Sequence, residues 1–276
     1  MLLNYITWDM SPFIYEGEHF AIGWYGTLWV LGLIGLLATL LLTFKHDKVP
    51  IQYAYITFMV TLVCVLFFGH LFQGLFYEWY YAPSNPVHFL GTDWYYRNYY
   101  FEHPWKFLDF THGGFASHGT VLGVIIAGVF LSKIVPLPVW WMVDRIMMGL
   151  CLIGISVRFG NFVNAEICGI TTNLPWGVSY DCENILHPTQ IYEAISYLVA
   201  LGFSFCLYIC KKSGYQGLIT SVIVAIVMIS RIVIEFVKQP QMHIEAEWSL
   251  YMGQWLSIPF AIWAICLMFY SLENSK

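Results

Sequence analysis

Apolar residues in this chain fall in long unbroken runs, and polar residues collect where those runs end. Residues 20–44, 49–77 and 248–272 contain no Asp, Glu, Lys or Arg. Each run exceeds the roughly 20 residues that a helix needs to cross the hydrocarbon core of a bilayer. Seven spans fit the whole pattern, at about 20–43, 51–76, 116–135, 138–157, 188–210, 215–237 and 253–272. Pro136 and Pro138 separate the third from the fourth, and Asp144-Arg145 interrupts the fourth. Backbone groups in lipid must be hydrogen-bonded within their own segment, so the spans are expected to be helices. The expected fold class is therefore all-α: a polytopic membrane protein of seven transmembrane helices, forming one domain over residues 1–276.

Composition agrees with that class. The chain is 59% hydrophobic, 19% aromatic and 11% charged, where a soluble domain carries about 25% charged residues. Net charge is -5 and the basic residues are scattered, which argues against nucleic-acid binding. The leading segment lacks a basic stretch, and Asp9, Glu16 and Glu18 precede the first apolar run. That run is expected to be a retained helix rather than a signal peptide. Five of the seven cysteines fall in expected helices, where they pack as small apolar groups. Cys168 and Cys182 share one connection and could pair if it is extracytoplasmic. No metal is expected, because no His/Cys array has zinc spacing.

Charge then sets orientation. With seven spans, Lys45, Lys48, Lys133, Lys211, Lys212 and Lys276 share a side with the C-terminus, and most acids lie on the other. The expectation is an N-terminus outside and a C-terminus in the cytoplasm. The longest connection, 77–114, is then external and crowded with Trp, Tyr and Phe. Such rings favour the membrane–water boundary, as an anchoring belt or as a flap over a lipid.

Four polar clusters lie at the outer ends of expected helices, where ionisable groups mark functional sites. VRFGNFVNAEICG, 157–169, holds Arg158, Asn161, Asn164, Glu166 and Gly169. Continued as a helix, it places Arg158, Asn161, Glu166 and Gly169 within roughly a 140° arc, with Asn164 off that face. SRIVIEFVKQP, 230–240, sets Arg231, Glu235 and Lys238 at i, i+4, i+7 on one face, with an Arg–Glu pair expected. HGGFASHGTVLG, 112–123, puts His118 at the start of the third span. HPTQIYEA, 187–194, brings His187, Gln190 and Glu193 to the start of the fifth. Tyr25, in GWYG, ends the first on the same side. Guanidinium forks suit phosphate, and the phosphate at that depth belongs to a phospholipid head group. The residues alone thus indicate a phospholipid-handling protein of the outer leaflet. A transporter would more often show internal repeats and helices broken at the midplane; a metalloprotease would need metal ligands at regular spacing, which His112, His118 and His187 do not supply.

VRFGNFVNAEICG resembles the signature of bacterial prolipoprotein diacylglyceryl transferases, G-R-x-G-N-F-x-N-x-E-x-x-G. Further matches follow in order: Trp24-Tyr25-Gly26, Ser117-His118-Gly119, HPTQIYE at 187–193, R-x-x-x-E-F at 231–236 and MGQWLSIP at 252–259. Val157 stands where the signature has its first glycine, Thr120 where a small residue is commoner, and Lys238 where arginine is usual. The resemblance implies seven spans and transfer of diacylglyceryl from phosphatidylglycerol to the lipobox cysteine of a preprolipoprotein, releasing glycerol 1-phosphate. It implies His118 as candidate base and Arg158 and Arg231 as donors to the departing phosphate. Asn161 and Tyr25 would orient the head group, Glu166 and Glu235 would position the arginines, and no cofactor is required.

Overall fold

The computed structural model describes residues 5–84, 87–89, 92–110, 114–180, 183–210, 214–242, 245 and 248–274, with 87–89 and 92–94 as backbone. It is mostly helical. The elements α1 (Trp24–His46), α2 (Ile51–Phe76), α3 (Tyr99–Glu102), α4 (Ser117–Leu131), α5 (Val139–Val163), α6 (Thr189–Ile209), α7 (Leu218–Ile234) and α8 (Met252–Glu273) follow in order. Six of them are long and apolar enough to cross a membrane, counting α7 together with the 3₁₀ turn that follows it. The expected third span is the 15-residue α4, which at 1.5 Å per residue reaches about 22 Å of the roughly 30 Å hydrocarbon core.

Helices α1, α4, α6 and α8 begin, and α2, α5 and α7 end, at one end of the bundle. Side-chain links join five of these ends, Arg158 to Glu193, Arg231 to Ser117 and His118 to Ser257, while Tyr25 of α1 packs on Gly160 of α5 and Ala116 N, just before α4, donates to Gly69 O of α2 at 3.0 Å. Close packing comes from glycines placed to admit a neighbour's backbone. A Cβ on Gly119 would strike the Phe68 carbonyl, and one on Gly123 would sit 2.7 Å from the Cys64 carbonyl. The Gly-x-x-x-Gly spacing lets α4 lie against α2 as small residues do in membrane bundles. On the other side of the bundle α1 packs on α5.

The charged pair within the expected fourth span belongs to the far end. Arg145 is buried there; its Nη2 donates to Asp47 Oδ2 at 2.7 Å, and the guanidinium lies 3.9 Å over the Trp141 ring. Tyr208 donates to the other Asp47 oxygen at 2.9 Å, tying α6 to the end of α1. Asp144 accepts from the amides of Gly217 (2.9 Å) and Thr220 (2.8 Å), so a side chain of α5 caps α7. Between the two ends lies an apolar core that includes Leu36, Leu40, Phe44, Val143 and Ile146.

The connection 77–114 forms antiparallel pairs, Trp79–Tyr81 with Tyr96–Asn98 and Val87–Phe89 with Thr92–Trp94, before α3 and a 3₁₀ turn. Asn98 caps α3, its Oδ1 accepting from the amides of Tyr100 and Phe101. Tyr80, Tyr81, Tyr99, Phe101, Trp105 and Phe110 project exposed rings from it. Cys168 is a free thiol, whereas Cys182 lies outside the described residues, as do His112, Lys211, Lys212 and Lys276.

Candidate functional site

The segment 157–169 is not one continuous helix. α5 stops at Val163, and the next residues form a Schellman motif: Ala165 N donates to Phe162 O at 3.2 Å and Glu166 N to Asn161 O at 2.9 Å. Ala165 therefore sits at φ 54°, and Ile167 follows at φ 57°, a conformation costly for a β-branched residue. The expected helical arc thus ends before Glu166 and Gly169. The turn instead sends Glu166 back over the helix end, where Oε2 accepts from Asn161 Nδ2 (2.9 Å) and Oε1 from Asn164 Nδ2 (3.2 Å). Glycine fits the left-handed position without the Cβ clash. Ala165→Gly is expected to raise thermal stability by about 0.5–1 kcal/mol, read as a higher midpoint in detergent; an unchanged or lower midpoint would mean the turn is not strained.

Beneath that turn lies a buried charged network. Arg158 Nε pairs with Glu193 Oε2 at 2.6 Å, and its Nη1 donates to Asn161 Oδ1 at 3.3 Å. Glu193 Oε1 takes Lys238 Nζ at 3.2 Å, and Lys238 also stands 3.9 Å from Glu235. Arg231 donates Nη1 to Ser117 Oγ at 3.0 Å. The expected face of Arg231, Glu235 and Lys238 is broken, because α7 ends at Ile234, residues 235–237 tighten to a 3₁₀ turn and Lys238 is extended. Lysine consequently points across to α6 rather than along its own helix. Glu235 rests on the first turn of α8: a Cβ on Gly253 would lie 2.6 Å from its carboxylate. The positive end of the α8 dipole favours that placement.

His118 is fully buried on the first turn of α4, with Nε2 2.9 Å from Ser257 Oγ. The Ser257 hydroxyl itself donates to Gly253 O at 2.6 Å. Nε2 is therefore assigned as the ring donor, leaving Nδ1 with a free lone pair and no partner. Tyr25 packs on Gly160, where a Cβ would come within 2.7 Å of its ring, and so stands beside Arg158 and Glu166.

Gly169 is the crossing point of three segments. Its amide donates to His187 O at 3.0 Å, His187 N returns to Ile170 O at 3.0 Å, and Ile170 N donates to Val237 O at 2.9 Å. A Cβ there would lie 2.6 Å from the Val237 carbonyl and 2.8 Å from that of His187. The junction ties the ends of α5, α6 and α7 together. Gly169→Ala must push those strands apart, at a cost of about 1–3 kcal/mol, and it is expected to lower activity at least tenfold while protein still accumulates in membranes; near-parental activity would show that the junction does not set the site.

The structure brings Tyr25, Asn161, Asn164, Glu166 and Glu193 around Arg158, and Arg231, Glu235 and His118 around Ser117 and Ser257. Gln190 serves as a backbone clamp, donating to Glu166 O at 2.5 Å. The His187 side chain turns away, its Nδ1 3.2 Å from the Tyr192 hydroxyl, and burial pushes its pKa down. Ser117, Ser257 and Tyr197 were not singled out from the sequence, although the serines lie inside the SHG and MGQWLSIP matches. Tyr197 carries no local signal; its ring packs on Gly154 of α5, among the buried charges.

An apolar cavity reaches down from this network. Trp29, Leu33, Leu62 and Leu66 of α1 and α2 line one side, Val224 and Met228 of α7 another, and Arg158 and Ser117 the polar end. Val157 and Thr120, both departures from the signature, line it too, which places them where cavity shape rather than charge is at stake.

A family profile described as prolipoprotein diacylglyceryl transferase matches residues 12–270. Proteins named phosphatidylglycerol–prolipoprotein diacylglyceryl transferase resemble the chain over nearly its whole length. The one from Chloroherpeton thalassium is 33% identical over 99% of this chain and 97% of its own. The one from Porphyromonas gingivalis is 31% identical, covering 98% and 96%, and that from Tolumonas auensis 30%, covering 97% and 98%.

Proposed function

Because the chain belongs to the prolipoprotein diacylglyceryl transferase family, we propose that its charged cluster transfers diacylglyceryl from phosphatidylglycerol to the lipobox cysteine of a preprolipoprotein. One observation carries the reading: the apolar cavity ends on Arg158 and on the Ser117 that holds Arg231. Acyl chains fill the cavity by burial of apolar surface, and the phosphate then meets guanidinium donors.

The chemistry follows from that placement. The cysteine sulfur attacks the diacylglyceryl carbon that bears the phosphoester oxygen. The C–S bond forms as the C–O bond breaks, and the bonding pair leaves on the phosphate of glycerol 1-phosphate. Charge grows on that phosphate, and donors fixed beforehand at Arg158 and Arg231 stabilise it more than they stabilise the bound lipid. Tyr25 and Asn161 orient the head group. Glu166 acts through Asn161, while Glu193 and Glu235 keep the cations in place and the site near neutral. A free thiol has pKa about 8.5, so its proton must be taken; His118 Nδ1, with its lone pair free, is the candidate base. None of these steps draws on a metal or an organic cofactor.

The setting is the inner membrane of a bacterium, in a single domain of seven spans with the N-terminus outside and the C-terminus in the cytoplasm. The connection 77–114 and the charged cluster then lie on the external side. Supporting this are the lysines at the far end, the exposed rings of that connection, and α4 lying among the six long helices.

Purified protein given phosphatidylglycerol and a lipobox peptide is expected to release glycerol 1-phosphate, and a peptide with serine for cysteine is not. No release from folded protein would sink the enzyme reading. His118→Gln is expected to lower kcat by about 10²-fold or more, the lower range for a general base; near-full activity would move the base role elsewhere.

A further inference from the structure

We propose that a second, polar cavity at the same end of the bundle holds the residues of the prolipoprotein that immediately follow the modified cysteine. This rests on the transferase reading above. The cavity is an open vestibule. Three connections wall it: Gln73, Tyr77 and Glu78 where α2 ends, Ile167 and Cys168 beyond the Schellman turn, and Gln239 to Gln241 after α7.

The walls are held by bonds that leave the space itself open. Gln239 N donates to Cys168 O at 3.2 Å, and Gln241 N to the buried Glu245 carboxylate at 2.7 Å. Gln73 Nε2 donates to Glu78 Oε1 at 3.1 Å. Preorganised walls of this kind spare a ligand the entropy of ordering them.

Their chemistry favours polypeptide over anion. Among the described residues lining it there is one carboxylate and no cation, so the departing glycerol phosphate finds no counter-charge there. Primary amides both donate and accept, as an extended backbone requires. Gln190 backs one wall of the space. It is 1% exposed, its Nε2 reaches Cys168 Sγ at 3.4 Å beside Tyr180, and its Oε1 has no partner. This unpaired acceptor lies behind the Cys168 wall of the vestibule and not on its surface. Burial pushes the Cys168 thiol pKa up.

Position completes the argument. Tyr77 of the vestibule wall stands beside Arg231 and Glu235, and Arg231 in turn holds Ser117 of the apolar cavity. The arginine thus separates a compartment for acyl chains from one for polar chain. A thiol attacking carbon next to the phosphate has its apolar signal helix in lipid and its following residues in the vestibule.

The test uses the full-length protein, phosphatidylglycerol and two lipobox peptides, one ending at the cysteine as an amide and one continuing six residues beyond it. The parent is expected to show a KM for the longer peptide about tenfold lower, roughly 1.4 kcal/mol of binding. Gln241→Trp, which fills the vestibule from an exposed position, is expected to abolish that difference while leaving the KM for phosphatidylglycerol unchanged. Gln241→Ala, the milder variant in case tryptophan prevents folding, is expected to shrink it several-fold. Equal KM values for both peptides in the parent overturn the proposal and leave the transferase reading intact, as does a variant that raises the lipid KM instead. No turnover of either peptide by the parent overturns both.

Discussion

Arg158→Ala is expected to abolish glycerol 1-phosphate release, with kcat/KM falling by at least about 10³-fold, the upper range for loss of a single preorganised donor. The reason for so large an effect is the position of the guanidinium. It closes the polar end of the apolar cavity, and its geometry is fixed by Glu193 at 2.6 Å and Asn161 at 3.3 Å. Removing it deletes the donor and also leaves Glu193 with one cation fewer. Arg158→Lys separates these effects. Lysine keeps the charge that Glu193 needs but loses the planar fork, so the protein is expected to accumulate normally and remain nearly inactive. Arg231→Ala, which strips Ser117 of its partner, is expected to match Arg158→Ala. Full activity in the lysine variant would show that charge alone suffices there and that bidentate recognition of phosphate does not occur.

The second large effect is expected at Lys238. The residue is 1% exposed, and its ammonium lies 3.2 Å from Glu193 and 3.9 Å from Glu235. Lys238→Met leaves two buried carboxylates to share fewer cations, and removing one partner of a buried ion pair costs about 3–5 kcal/mol. That is a large part of a typical 5–15 kcal/mol margin, so the variant is expected to lose most of its accumulation in membranes. Lys238→Arg, which preserves the charge, is expected to accumulate and turn over near the parental rate. Adding Glu193→Gln to Lys238→Met should restore part of the stability, because it removes one of the stranded charges, without restoring turnover. A methionine variant as stable and active as the parent would show that the ammonium neutralises nothing. The geometry also explains why lysine is sufficient: it acts as a point charge between two carboxylates, a task that needs no fork.

Particular residues show what the sequence could and could not reveal. The long uncharged runs marked α1, α2 and α8 because lipid tolerates few charges, and that signal is local. Arg158, Asn161 and Arg231 stood out for the same reason, as costly residues inside apolar stretches. Other features depend on contacts between distant segments. The Schellman turn at Ala165 was invisible because its left-handed position lacks the glycine that would announce it. The spiral of Glu166 and Gly169 was therefore extrapolated past the true helix end. Lys238 looked like a member of its own helix face until α7 was seen to stop four residues earlier, freeing it to reach Glu193. Asp144 and Arg145 read as an interruption, yet each meets a partner more than 70 positions away. Ser257 is ordinary in sequence and matters because it fixes the tautomer of a histidine 139 residues earlier.

The asymmetry between the two ends of the bundle has an electrical meaning. The end carrying Arg158 and Arg231 holds two cavities, whereas at the other, among the described residues, Arg145, Asp47 and Tyr208 join over an apolar core that includes Leu40, Phe44 and Val143. In the proposed orientation the described residues thus form a well and not a passage. With the lipid phosphate held at Arg158 as proposed, water and ions that reach it share the potential of their own side, and little of the transmembrane field falls across the reacting bond. A transferase built in this way can extract a lipid from the bilayer and expel a charged product without short-circuiting the membrane that holds it.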